Sequence, residues 1–115
     1  MTVTIYHNPR CAKSRQTLAL LEAKGIAPRI VDYQKTPPSA AELKSILKAL
    51  GLKPRDLLRQ GEPIYAELGL KDRDLDDDAL IALMVANPIL IERPIVVSGN
   101  KAALGRPPES VLAII

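Results

Sequence analysis

TVTIYHNPRCAKSRQTLALLEAKGIAPRIVDY, residues 2–33, is the stretch whose reading decides the fold. Thr2 to Tyr6 alternates and is rich in β-branched side chains, which predicts a strand. From Ser14 to Lys24, Leu18, Leu20 and Leu21 give a helix an apolar face, and Gly25 supplies its C-terminal stop. Arg29 to Tyr33 reads as a second strand. A strand, a helix of about three turns and another strand form a parallel βαβ unit with a right-handed crossover. That reading places Cys11 in the turn between the first strand and its helix.

Working outward, Pro37-Pro38 breaks the chain and Ser39-Ala-Ala-Glu42 forms a capping box. Leu43, Ile46, Leu47 and Leu50 follow at helical spacing, and Gly51 closes the segment. Lys53 to Gln60 predicts a short helix begun by Pro54 at its first position. Asp76, Asp77 and Asp78 precede an apolar helix that ends at Asn87-Pro88, so the acids lie where the helix dipole favours them. With no histidine or further carboxylate cluster beside this run, no metal is expected. Ile95 to Val97 is a strand, Ser98 to Lys101 a hairpin turn, and Ala102 to Leu104 the return strand. Pro107-Pro108-Glu109 opens a last helix carrying Val111, Leu112 and Ile115. The order βαβ, helical segment, ββα predicts an α/β fold with a small mixed sheet, formed as one domain over residues 1–115.

Hydrophobic residues make up 47% and charged residues 25% of the 115, a globular composition that argues against disorder. No apolar run approaches the roughly 20 residues of a membrane span. The N-terminus has no charged leader followed by an apolar block, so no signal peptide is expected. The lone cysteine cannot form an internal disulfide, which fits a reducing cytoplasm. Net charge is +3. The cations are dispersed, and three tyrosines stand without Phe or Trp, so nucleic acid is not expected as a partner.

A lone cysteine is commonly a small buried hydrophobe. Cys11 has a different setting, a turn before a helix with Arg10, Lys13 and Arg15 nearby. The unpaired N–H groups of a helix start, together with cations, favour thiolate over thiol, and the same features bind oxyanions. A dithiol site would need cysteine at position 14, which is Ser14. A phosphatase-type loop would need arginine at position 17, which is Thr17. The site therefore reads as a nucleophilic monothiol whose second thiol comes from another molecule. His7 reads either as a group that orients the thiol or as a partly exposed polar residue at a strand end. Ser14 reads as a thiolate hydrogen-bond donor, as a helix cap, or as both.

Three arginines stand apart in the sequence: Arg59 in DLLRQGEPIY, Arg93 in IERPIVV and Arg106 in LGRPPES. Each alone reads as a surface cation, whereas together they could grip a tetrahedral oxyanion. With these blocks in place the chain resembles the glutaredoxin-linked arsenate reductases of the thioredoxin-like superfamily. The resemblance rests on YHNPRCAKSRQTL, LLRQGEPIYAELGL, NPILIERPIVV and GRPPESVLAII, and spans nearly the whole length. It is nearest to a chromosomal, arsenate-reductase-like subgroup.

The resemblance implies a thioredoxin-like fold with a helical insertion and a cis bond between Arg93 and Pro94. It implies that Cys11 attacks arsenate, that His7 and Ser14 activate the thiolate, and that Arg59, Arg93 and Arg106 hold the oxyanion. It further implies no bound cofactor, glutathione as co-substrate, and glutaredoxin as the protein partner that completes the reduction of As(V) to As(III). Two alternatives stand beside this: a monothiol glutathione-dependent reductase of another substrate, and a non-enzymatic regulator that binds a protein such as RNA polymerase.

Overall fold

The structure, a computed structural model, describes residues 2–115. Two compact units make up the chain. One runs through Pro37 and resumes over Arg93–Ile115, and the other is Pro38–Glu92.

The first unit holds the sheet. Strand β1 is Val3–His7, helix α1 is Ala12–Ala23 and strand β2 is Arg29–Asp32, and β1 and β2 pair in parallel with His7 opposite Asp32. Strands β3 (Ile95–Ser98) and β4 (Lys101–Leu104) complete it, giving the order β2-β1-β3-β4. β1 and β3 are antiparallel, with Tyr6 opposite Ile95 and Val3 opposite Ser98. The β3–β4 hairpin turns through two residues with Gly99 at φ +62, the geometry of a type II′ turn. Ile5, Leu21, Val96 and Val111 are fully buried together, and Leu18, Leu20 and Ile26 pack against them. Each such side chain contributes about 1.5–3 kcal/mol by leaving water. α1 is thereby fixed on the sheet, and its first turn is fixed at the end of β1.

The second unit is helical: α2 (Ala40–Leu50), a 3-10 turn at Pro54–Leu57, α3 (Pro63–Glu67) and α4 (Asp77–Ala86). Ser39 Oγ accepts from the Glu42 N–H, and Gly51 sits at φ +71 as the C-cap. Asp76 accepts from the Ala79 N–H, so the acidic run is a cap. Of the α2 positions that the spacing singled out, Leu43, Ile46 and Leu47 are buried and Leu50 is half-buried, and in α4 Leu80, Ile81 and Met84 are buried.

The fold is the expected α/β, thioredoxin-like mixed sheet with a helical segment inserted between β2 and β3. Four local readings change. α1 begins at Ala12 rather than Ser14, because Cys11 is itself the N-cap. The segment after Pro54 is a single 3-10 turn, and the last helix, Pro108–Ile114, is also 3-10. Prolines at a helix start fix φ for either helix type and cannot distinguish them. α3 has no counterpart in the sequence reading, since five residues are too few to show a period.

Candidate active site

β1 ends at His7, and the chain turns through Asn8, Pro9 and Arg10 into α1. Asn8 organises this loop. Its Oδ1 accepts from the Arg10 N–H at 3.0 Å and its carbonyl accepts from the Cys11 N–H at 3.0 Å. That is the turn-forming habit of asparagine. Arg15 reaches back from α1 and donates to the Pro9 carbonyl at 2.9 Å. Cys11 therefore enters the helix from a braced turn.

As N-cap, Cys11 has extended backbone at φ −95 and ψ 124. Its side chain closes no cap hydrogen bond, but the backbone N–H groups of Ser14 and Lys13 favour its thiolate. These are the positions whose N–H groups an N-cap side chain normally satisfies. Partial burial pushes the Cys11 thiol up. The Ser14 N–H, the charge and hydrogen bond of the Arg93 guanidinium, and the Lys13 N–H pull it down further, so the net shift is below the ordinary value.

Ser14 is fully buried. Its Oγ lies 2.7 Å from His7 Nδ1 and accepts from the Asn8 N–H at 2.9 Å. It is thus not the helix cap, but a strut between the strand end and the first turn. His7 is 7% exposed, so the reading of a partly exposed strand-end residue does not hold. Burial lowers its pKa, Asp32 opposes that shift, and Arg15 adds to it. A neutral imidazole can accept the Ser14 hydroxyl proton at Nδ1 and carry its own proton on Nε2.

Arg93 is the cation that reaches the thiol, and it is 8% exposed. It stands immediately before cis-Pro94, at the entrance to β3. The Pro94 carbonyl accepts from the Gly105 N–H at 2.9 Å. Gly105 is packed tightly, since a Cβ there would meet Pro94 Cγ at 2.6 Å and the Thr17 hydroxyl closer still. Thr17 is itself buried and donates to the Lys13 carbonyl at 2.8 Å. A glycine is what allows β4, α1 and the Arg93-Pro94 segment to meet.

The other two arginines are placed differently. Arg106 follows Gly105, is exposed, and forms a second cis bond, to Pro107. Arg59 belongs to the helical unit. Its Nε pairs with Glu62 at 3.3 Å, its backbone N–H donates to the Leu90 carbonyl, and its buried Nη1 has no hydrogen-bond partner among the described residues. The structure thus gathers Cys11, His7, Ser14 and Arg93. Sequence reasoning passed over Asn8 and Gly105. An asparagine before proline in a turn was a usable signal for the first, whereas the crowding at the second arises only in three dimensions. No group of three or more His, Cys, Asp or Glu residues that could hold a metal occurs among the described residues. The arrangement can present an activated thiolate, held by backbone N–H groups and a buried guanidinium, to an electrophile.

Known proteins resemble this chain over nearly its whole length. The ArsC family matches residues 6–114. The uncharacterized protein YfgD of Escherichia coli strain K12 is 55% identical over 114 residues, covering 98% of this chain and 96% of that one. An arsenate reductase of Neisseria meningitidis is 48% identical over 114 residues, covering 98% and 97%. The solved structure of an arsenate reductase from Vibrio cholerae has a TM-score of 0.96 at 55% identity, covering 100% of this chain and 98% of its own.

Proposed function

The chain belongs to the ArsC family, and on that premise we propose that it is a glutathione- and glutaredoxin-dependent arsenate reductase. The observation that carries this is the state of Cys11: the single thiol of the chain, at a helix start, with Arg93 and two backbone N–H groups holding its pKa down. Relatives named for arsenate reduction, 48% and 49% identical over the whole chain, support the substrate.

The chemistry runs in four balanced steps. Cys11 thiolate attacks arsenic(V) and displaces hydroxide, forming an S–As bond. Glutathione thiolate displaces a second hydroxide from arsenic. A glutaredoxin thiolate then attacks the glutathione sulfur. An S–S bond forms, the glutathione S–As bond breaks, and its electron pair stays on arsenic, which becomes As(III) while the two sulfurs are oxidised. Hydroxide finally releases arsenite and regenerates Cys11. In this reading Arg93 stabilises the thiolate and the oxyanion, Arg59 and Arg106 are the remaining oxyanion ligands, and His7 and Ser14 orient the thiol's surroundings.

The test is a coupled assay with arsenate, glutathione, glutaredoxin and its reductase. Wild type should turn over, and Cys11→Ser should be inactive while still unfolding in one cooperative transition. Activity in Cys11→Ser would rule out thiol chemistry here, and no arsenate-dependent turnover in wild type would refute the substrate.

A further inference from the structure

Beside the thiol loop, in the sheet-bearing unit, lies a polar cleft of about 320 Å³ lined by Asn8, Pro9, Arg10, Asp32, Gln34 and Lys35. One wall is the loop leaving β1 and the other is the turn leaving β2. β1 and β2 are parallel, so both chains emerge at the same end of the sheet, where open α/β sheets place their ligands. The second wall is held by the Asp32 carbonyl, which accepts from the N–H groups of Lys35 at 3.0 Å and Thr36 at 2.9 Å.

Apart from Asn8, the polar side chains of this cleft are not used by the fold. Among the described residues, the side chains of Arg10, Asp32, Gln34 and Lys35 make no hydrogen bond or ion pair. Asn8 is only 6% exposed, and its Oδ1 is taken by the Arg10 N–H. Its NH₂ group makes no hydrogen bond among the described residues and is not among the buried polar atoms, so it is open to a ligand in the cleft. The cleft thus offers two cations, one carboxylate and two amides. Its complement is a zwitterion with carboxylates and an ammonium group, joined by peptide-like amides. The nucleophile is close along the chain, since Cys11 directly follows Arg10 and bonds through its N–H to Asn8.

We propose that this cleft seats the amino-acid ends of the peptide thiol that reacts at Cys11, which is glutathione on the reading above. Arg10 and Lys35 take its carboxylates, Asp32 its ammonium, and Asn8 and Gln34 its amide groups. The proposal rests on that reading for the identity of the thiol and needs no arsenate chemistry.

The experiment is a titration with S-methylglutathione, which cannot exchange, followed by backbone amide shifts. Wild type should bind saturably, with shifts centred on residues 8–10 and 32–35. Lys35→Glu and Arg10→Glu, each shown folded by an unchanged thermal midpoint, should bind at least tenfold more weakly. The dimethyl ester of the probe, whose carboxylates are masked, should bind wild type and variants alike and weakly. No saturable binding, shifts centred elsewhere, equal affinity in the variants, or an ester that binds wild type as tightly as the free acid would each overturn it. The arsenate reading fails separately: a chain that binds the probe in this cleft but never turns over arsenate retains the site and loses that substrate.

Discussion

Gly105→Ala tests whether the site depends on close packing rather than on the residues at the thiol alone. The added Cβ would lie 2.6 Å from Pro94 Cγ, 3.1 Å from Thr17 Cγ2 and closer still to the Thr17 hydroxyl. None of these atoms yields easily. The proline ring cannot rotate away, and Thr17 is fully buried with its hydroxyl committed to the Lys13 carbonyl. Gly105 is not among the glycines at positive φ, so the alanine backbone itself is unstrained and the cost is steric. Overpacking of this kind costs about 1–3 kcal/mol. The narrower unfolded ensemble of alanine offsets about 0.4–1 kcal/mol of that. Taken from the middle of each range, the expected net loss is about 1.3 kcal/mol, read as a lower urea midpoint at constant m-value. It should lower the thermal midpoint by roughly 4 °C per kcal/mol. Removing the Thr17 side chain as well relieves two of the three contacts. The pair Gly105→Ala and Thr17→Ala should therefore fall short of additivity by at least about 0.5 kcal/mol. Because Arg93 precedes the displaced Pro94, the Cys11 thiol should also titrate at higher pH, followed by thiolate absorbance. An unchanged midpoint in Gly105→Ala, or strict additivity in the pair, would refute the reasoning.

Ser14→Ala removes the acceptor of the Asn8 N–H and the partner of His7 Nδ1. It should destabilise by about 1–3 kcal/mol, measured by urea unfolding, since buried polar groups lose their partners. Arg93→Lys keeps the charge but not the fork, so arsenate turnover should fall, and Arg93→Met should also raise the Cys11 pKa. Unchanged kinetics in Arg93→Lys would remove the arginine from the site. Stability should depend on pH through Cys11, whose pKa is lower when folded than its ordinary 9.0. The contribution is complete above the unfolded value and is lost as pH falls through the folded one. Across that window wild type should lose stability relative to Cys11→Ser on acidification, and parallel curves would contradict the lowered thiol pKa.

The sequence shows most clearly what is encoded locally. Ser39 with Glu42, Asp76, Gly51 and the alternation before His7 each specify an element end within a few residues, and each holds in the structure. The 3-10 turns escape because proline at Pro54 and Pro108 starts either helix equally well. At the site, Cys11 stands out because a thiol at a helix start among cations is chemically unusual. Arg93 does not, since its approach to Cys11 is set by the antiparallel pairing of β1 with β3, far apart in the chain. In the sequence it is one of three candidate arginines, and only the resemblance ties it to the thiol.

That pairing also makes the register of the sheet a coordinate of the chemistry. Tyr6 opposes Ile95, so the residues just after one and just before the other are brought to the same end. A slip of two residues would carry Arg93 roughly 7 Å along the strand direction, leaving the chain folded but its nucleophile without its cation. The opposite end carries no such constraint, because the Gly99-Asn100 turn joins β3 to β4 away from the thiol. A fluorophore or affinity handle inserted there should leave the reacting end undisturbed, which makes that hairpin the natural place from which to watch this protein meet its partners.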